Sequence, residues 1–108
     1  MDLKNKKCKP CEGGIPPLTG EEVNASLKLI NSSWKEIEKK KLERKFHFVN
    51  FVHAMDFVNR VAEIAEEEGH HPDIHIHYNE CLIELWTHAI NGLSENDFIM
   101  AAKIDDLI

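Results

Sequence analysis

The sequence predicts an α+β fold, a four-stranded antiparallel sheet with three helices packed on one face, in the order α-β-β-α-β-β-α. Three observations carry this expectation. Two stretches, 34–48 and 74–88, alternate apolar and polar residues with the period of two of a half-buried strand. Each is long enough for two strands joined by a short polar turn, and hairpin-linked strands pair antiparallel. Segments with apolar residues at helical spacing precede, separate and follow these stretches, and a sheet with one apolar face needs such helices to cover it.

Taken in order, residues 1–18 hold Cys8, Cys11, Gly13, Gly14, Pro16 and Pro17, too much glycine and proline for a helix. They read as an irregular arm, frayed at its start, ahead of a domain over 19–108. Thr19 and Glu22 form a capping box that opens the first helix. Val23, Leu27, Ile30 and Trp34 then share one face, and the helix is expected to end near Asn31-Ser32-Ser33. In the first hairpin Leu42, Phe46 and Phe48 alternate with Glu43, Lys45 and His47, and the lysines at 39–41 fall at the turn. Asn50 caps a second helix over 51–68, with Phe51, Ala54, Met55, Val58, Val61, Ala62 and Ala65 as its stripe, and Gly69 stops it. In the second hairpin Ile74, Ile76 and Tyr78 alternate with His75 and His77. Cys81, Ile83, Leu85 and Thr87 then alternate with Leu82, Glu84, Trp86 and His88, and the turn lies at Tyr78-Asn79-Glu80. Gly92 breaks the chain. Ser94 and Asp97 form a second capping box, Leu93 staples onto Phe98, and Ala101, Ile104 and Ile108 continue an inward face.

The totals exclude several function classes. A chain of 108 residues is one domain, and 43% apolar with 30% charged residues is ordinary for a globular protein. A formal charge of −6 argues against general nucleic-acid binding, which needs a basic footprint. No run is apolar and long enough to span a membrane. The polar, lysine-rich start is unlike a secretory signal, and three cysteines build no disulfide framework, so a reducing cytoplasm is the expected location.

The chemistry concentrates between Glu66 and His88, where five of the 7 histidines lie. His70-His71 is set against Pro72, which biases His71 toward extended backbone. His88 closes a strand-like run and could converge on the same space. Imidazoles that titrate near neutral pH can divide acid and base roles without a cofactor. Two rivals deserve weighing. His75-x-His77 followed by Glu80 would suit a metal only with three or four ligands at proper distances. Cys8-x-x-Cys11 lacks both the second ligand pair of a zinc site and the strand–helix setting of a redox motif. Cys81 is most simply a small buried strand residue.

The combination of His70-His71-Pro72, Tyr78-Asn79, Thr87-His88 and Gly92-Leu93-Ser94 with Asp97 resembles the pterin-4a-carbinolamine dehydratases. The resemblance extends upstream through Pro17-Leu18-Thr19, Trp34, Phe46-x-Phe48 and Glu66, covering about residues 8–108. One position departs: many members carry a tryptophan two residues after the motif proline, where this chain has Ile74. His75 and His77 also fall outside the pattern. The resemblance implies an α+β fold, often assembled as dimers or tetramers. It implies dehydration of 4a-hydroxytetrahydropterin to quinonoid dihydropterin, which recycles the cofactor of aromatic amino-acid hydroxylases, with no cofactor of the enzyme's own. His71 and His88 would be the acid/base pair, and His70 would hydrogen-bond or orient the substrate hydroxyl. Pro72, Thr87, Ala89 and Ile90 would line the substrate, partly through backbone groups. Glu66 would orient a motif histidine, and Asp97, whose capping role is explanation enough, would at most support the site. The competing class is a non-catalytic module on the same fold, a dimerisation cofactor or assembly protein, docking through an exposed apolar helix face.

Overall fold

The computed structural model describes residues 3–9 and 15–108. Three helices, α1 (Gly20–Leu27), α2 (Phe51–Glu68) and α3 (Glu95–Asp105), accompany four strands, β1 (Lys35–Ile37), β2 (Lys41–His47), β3 (Asp73–His77) and β4 (Glu80–Leu85). Single 3-10 turns lie at Leu3–Asn5 and His88–Ile90. The sheet order is β1-β2-β4-β3, antiparallel throughout, so the two hairpins meet through the central β2/β4 pair. The α+β architecture expected from the sequence is the one observed. Among the described residues no helix is long and apolar enough to cross a membrane.

The register explains the core. Leu42 pairs with Leu85 and Phe46 with Cys81 in one direction, and Ile74 with Ile83 in the other. Because side chains alternate across a strand, this puts Leu42, Phe46, Cys81, Ile83 and Leu85 on one face, where all are buried. Ala54, Phe57, Val61 and Ala65 of α2, Val23 of α1 and Phe98 to Ala101 with Ile104 of α3 close over that face. The burial pattern of α2 steps by three or four residues. That turns Phe51 and Ala62 outward and admits Phe57, which the apolar stripe had omitted and which packs 4.6 Å from the Phe46 ring centroid.

Three local differences from the sequence reading have identifiable causes. First, α1 ends at Leu27 and not near residue 31. The Asp105 carboxylate accepts from the Asn31 amide at 3.1 Å and from the Trp34 indole at 2.7 Å, and the Asn31 side chain accepts from Ser33 N. Side-chain to backbone bonding of this kind competes with helix continuation. Trp34 therefore reaches the core from a loop. Second, the first hairpin turns at Glu38 and Lys39, both at positive φ, as primed hairpin turns require. Lys41 thus opens β2. Third, β4 ends at Leu85, so His88 begins a 3-10 turn and does not close a strand. Residues 1 and 2, where a frayed start is expected, lie outside the described residues, and Leu3 is buried against the core.

The opposite face of the sheet is polar. There Glu84 lies 3.0 Å from Lys41 Nζ and 2.7 Å from His75 Nε2. Hydrogen bonding to Lys41, then to His75, holds its carboxyl below the ordinary value of 4.5. A depressed carboxylate stabilises the fold above its unfolded pKa, and that contribution disappears as pH falls through the folded value. Glu84→Gln is therefore expected to lower the urea midpoint at neutral pH and to match the parent protein in acid below the carboxylate range. A pH-independent difference would assign the effect to packing.

Candidate functional site

The site is assembled where the second hairpin meets the ends of α2 and α3. Gly69 adopts φ 66 after the last residue of α2, a left-handed conformation that suits glycine. The amides of Gly69 and His70 both donate to the Ala65 carbonyl, which turns the chain out of the helix and into β3. His70-His71-Pro72 occupies this short extended passage. In β3/β4 pairing Asp73 stands opposite Glu84, so the residues just before β3 run back beside those just after β4. That antiparallel geometry brings the histidine pair toward the Thr87-His88 segment.

Each motif imidazole is held by a different partner. His70 is 11% exposed, and its Nε2 lies 2.7 Å from Oδ1 of Asp97, which is fully buried. The other oxygen of Asp97 accepts from the Ser94 amide at 2.9 Å and from the Thr87 hydroxyl at 2.8 Å. Asp97 is thus more than a cap: it is an acceptor for the helix N-terminus, for Thr87 and for His70. The Thr87 hydroxyl also lies 2.8 Å from the Ser94 hydroxyl, and its backbone amide donates to Gly92 O. His71 points outward, 60% exposed, with its Nε2 at 2.6 Å from Glu66 Oε2. An ionised carboxylate only accepts, so opposite such a partner a neutral His70 or His71 would donate from Nε2 and keep Nδ1 as the acceptor.

His88 is exposed and stacks on Trp86, with centroids 3.8 Å apart and planes at 35°. The Trp86 indole in turn donates to Asp73 Oδ2 at 3.1 Å. Asp73 directly follows Pro72, so this chain of contacts ties His88 to the segment that bears the other two histidines. The sequence reading missed Trp86 and Asp73. The available signal was a large aromatic on the solvent-facing phase of a strand, a placement that burial does not explain.

The remaining expected residues are distributed around this centre. Thr87 is 2% exposed with its hydroxyl engaged twice, so its side chain supports Asp97 and Ser94. Pro72 is half-buried and Ala89 exposed. Ile90 lines a cleft of about 250 Å³ with Ser94, Leu18 and Pro16. A Cβ at Gly92 would lie 2.8 Å from Pro17 Cβ, so this glycine lets the arm close on the loop. Ile74 packs against the core at the position of the missing tryptophan.

The histidine ligand set is not assembled among the described residues. Among the described residues no group of three or more His, Cys, Asp or Glu side chains is placed to hold a metal ion. His75 is bonded to Glu84, and His77 stands across from Glu80 in the sheet. Cys11 lies outside the described residues. Burial first, and the nearby Glu68 charge second, push the Cys8 thiol up to about 12, and burial alone pushes Cys81 up to about 11. Both are therefore protonated and poorly nucleophilic at neutral pH.

Fold and site together define a small α+β protein that carries imidazoles, two of them braced by carboxylates, at one end of an antiparallel sheet. The family described as Pterin 4 alpha carbinolamine dehydratase matches residues 16–107, and the chain belongs to that family. A Rickettsia canadensis protein provisionally named pterin-4-alpha-carbinolamine dehydratase is 51% identical over 98% of this chain and 97% of its own. A Nitrosomonas eutropha protein with the same provisional name is 50% identical over 99% and 94%. A Brucella melitensis crystal structure, described as a transcriptional coactivator/pterin dehydratase, superposes with a TM-score of 0.79 at 33% identity. It covers 84% of this chain and 97% of that one. A second structure, a pterin dehydratase-like protein identified as a RuBisCO assembly factor in the alpha-carboxysome, gives a TM-score of 0.60 at 28% identity over 69% and 88%.

Proposed function

We propose that this protein is a 4a-hydroxytetrahydropterin dehydratase, a hydro-lyase that works by histidine acid/base catalysis. The observation that carries this reading is the antiparallel pairing that draws the residues before β3 and those after β4 together, with each motif imidazole held by its own partner. One imidazole of the His71/His88 pair removes the N5 proton. The N5 electron pair forms the N5=C4a double bond as the C4a–O bond breaks. The other imidazole, as its cation, gives a proton to the departing hydroxyl, so water leaves. One proton is taken and one is given, and the pair resets by exchange with solvent. His70, anchored on Asp97, orients the hydroxyl. Pro72, Ala89 and Ile90 line the substrate by position, and Thr87 contributes through Asp97 and its backbone. Glu66 fixes the tautomer and direction of His71, a role a carboxylate serves in catalytic triads. The product, quinonoid dihydropterin, returns to the cofactor pool of an aromatic amino-acid hydroxylase. A cytoplasmic homodimer or homotetramer belongs to the same proposal.

A binding role is the second reading. Val49, Phe51, Val52 and Tyr78 are exposed, and two structural neighbours are described as a coactivator/dehydratase and an assembly factor. The deciding experiment follows dehydration of 4a-hydroxytetrahydrobiopterin by ultraviolet absorbance, with and without chelator. A rate well above the spontaneous reaction in both conditions is the expected result. A rate no higher than the spontaneous one would overturn the enzyme reading in favour of binding.

A further inference from the structure

The arm supplies the observation. The Asn96 side chain clasps the Lys9 backbone at both ends: its Oδ1 accepts from Lys9 N at 2.9 Å, and its Nδ2 donates to Lys9 O at 2.7 Å. The preceding amide, Cys8 N, donates to Glu68 Oε1 at 2.8 Å, and the Cys8 thiol reaches Asn96 O at 3.7 Å. Glu68 is the last residue of α2, two before His70. Asn96 immediately precedes Asp97. Residues 8 and 9 therefore tie together the two helix ends whose neighbours form the 2.7 Å His70–Asp97 hydrogen bond.

We infer that residues 8 and 9 are a positioning strap for the His70–Asp97 pair, with Asn96 and Glu68 as its anchors. This rests on the proposed dehydratase function for its catalytic meaning, while the physical coupling stands on the contacts alone. Gly69 sits between Glu68 and His70 in a left-handed conformation, the pivot of the passage. Fixing Glu68 ahead of that pivot limits how far His70 can swing from Asp97. Asn96 is only 8% exposed, and the strap satisfies both its amide groups. Without the strap a buried amide would lose its partners, which is costly. More remote contacts seat the strap on α3: Leu3 is buried, Lys103 donates to Lys4 O at 2.8 Å, and Lys6 pairs with Glu95 at 2.9 Å. The neutral Cys8 thiol brings no charge toward Glu68 or Asp97. Residues 8 and 9 precede the segment matched by the family description, and they lie within the stretch over which the Rickettsia canadensis and Nitrosomonas eutropha proteins align.

Two full-length variants test this. Asn96→Ala removes the clasp from the α3 side. Lys9→Pro removes the amide donor and leaves every helix residue unchanged, so it serves if the first variant folds poorly. Release of the strap is read by thiol labelling of Cys8, mapped by mass spectrometry. Solvent exchange of the His70 Nε2 proton, followed by NMR, reads the His70–Asp97 bond directly. Labelling of Cys8, faster exchange of that proton and a kcat lowered about tenfold are expected, as for a small displacement of a reacting group. KM should stay within about twofold, the pattern of an interaction that matters mainly in the transition state. Labelling of Cys8 with unchanged proton exchange would overturn the strap, and so would failure of both variants to expose Cys8. Should the parent protein lack dehydratase activity, the labelling and exchange measurements still decide the coupling on their own.

Discussion

Replacing His71 or His88 by alanine is expected to lower the dehydration rate by about 10²–10⁴-fold, the usual loss when a proton-transferring group is removed. Stability should change by no more than about 0.5 kcal/mol, as for surface substitutions that break no buried contact. The structure explains why these effects separate. His71 contacts Glu66 in the open, and His88 rests on the outer side of Trp86. Neither ring contributes to the core. A large rate effect with an unchanged fold would therefore report chemistry. The two variants should also differ in their pH profiles, because removing the base erases one limb of a bell-shaped curve and removing the acid erases the other. Near-parental turnover in either variant would take that residue out of the mechanism. Loss of both rates with retained partner binding would separate catalysis from any docking role.

Asp97→Ala is expected to damage stability and activity together. Its carboxylate is fully buried and accepts from Ser94 N, Thr87 Oγ1 and His70 Nε2. Alanine strands these donors, and each buried donor left unpaired costs about 1–3 kcal/mol. Thr87 keeps Ser94 Oγ as a partner, so the total should be on the order of 3 kcal/mol. Chemical denaturation measures this directly. Turnover should fall as well, because His70 loses the group that sets its direction. Asp97→Asn separates the two effects: an amide fills the same space but presents an acceptor on one side only. It should recover much of the stability and less of the rate. Full recovery of the rate by asparagine would limit Asp97 to its capping role.

Much of this protein follows from local patterns. The period-two runs around Phe46 and Ile83, the caps at Thr19, Asn50 and Ser94, and the stop at Gly69 depend on neighbours within a few residues, and the observed elements obey them. Local bonding also has limits. α1 ends at Leu27 in i→i−3 bonds from Lys28, Leu29 and Ile30, and Asp105, far along the chain, then holds the Asn31 amide and the Trp34 indole. No short window of sequence contains the Asp105 contacts, 74 and 71 residues away from Asn31 and Trp34. The candidate site divides along the same line. The residue types and spacing of His70-His71-Pro72 and Thr87-His88 are legible as chemistry, and Glu66 lies close enough in sequence to be expected to orient one motif histidine; the structure makes that histidine His71. The pairing of Asp97 with His70, 27 residues apart, and the Asp73–Trp86–His88 chain come only from the β3/β4 register and the docking of α3. Hydrogen bonds between distant side chains need both backbones already in place, and packing of the helices against the sheet sets those positions. The sequence by itself determined which imidazoles and carboxylates are present and how they are spaced; the tertiary structure decided which carboxylate braces each of two imidazoles, and which indole carries the third, because each contact depends on where the folded backbone places its two side chains.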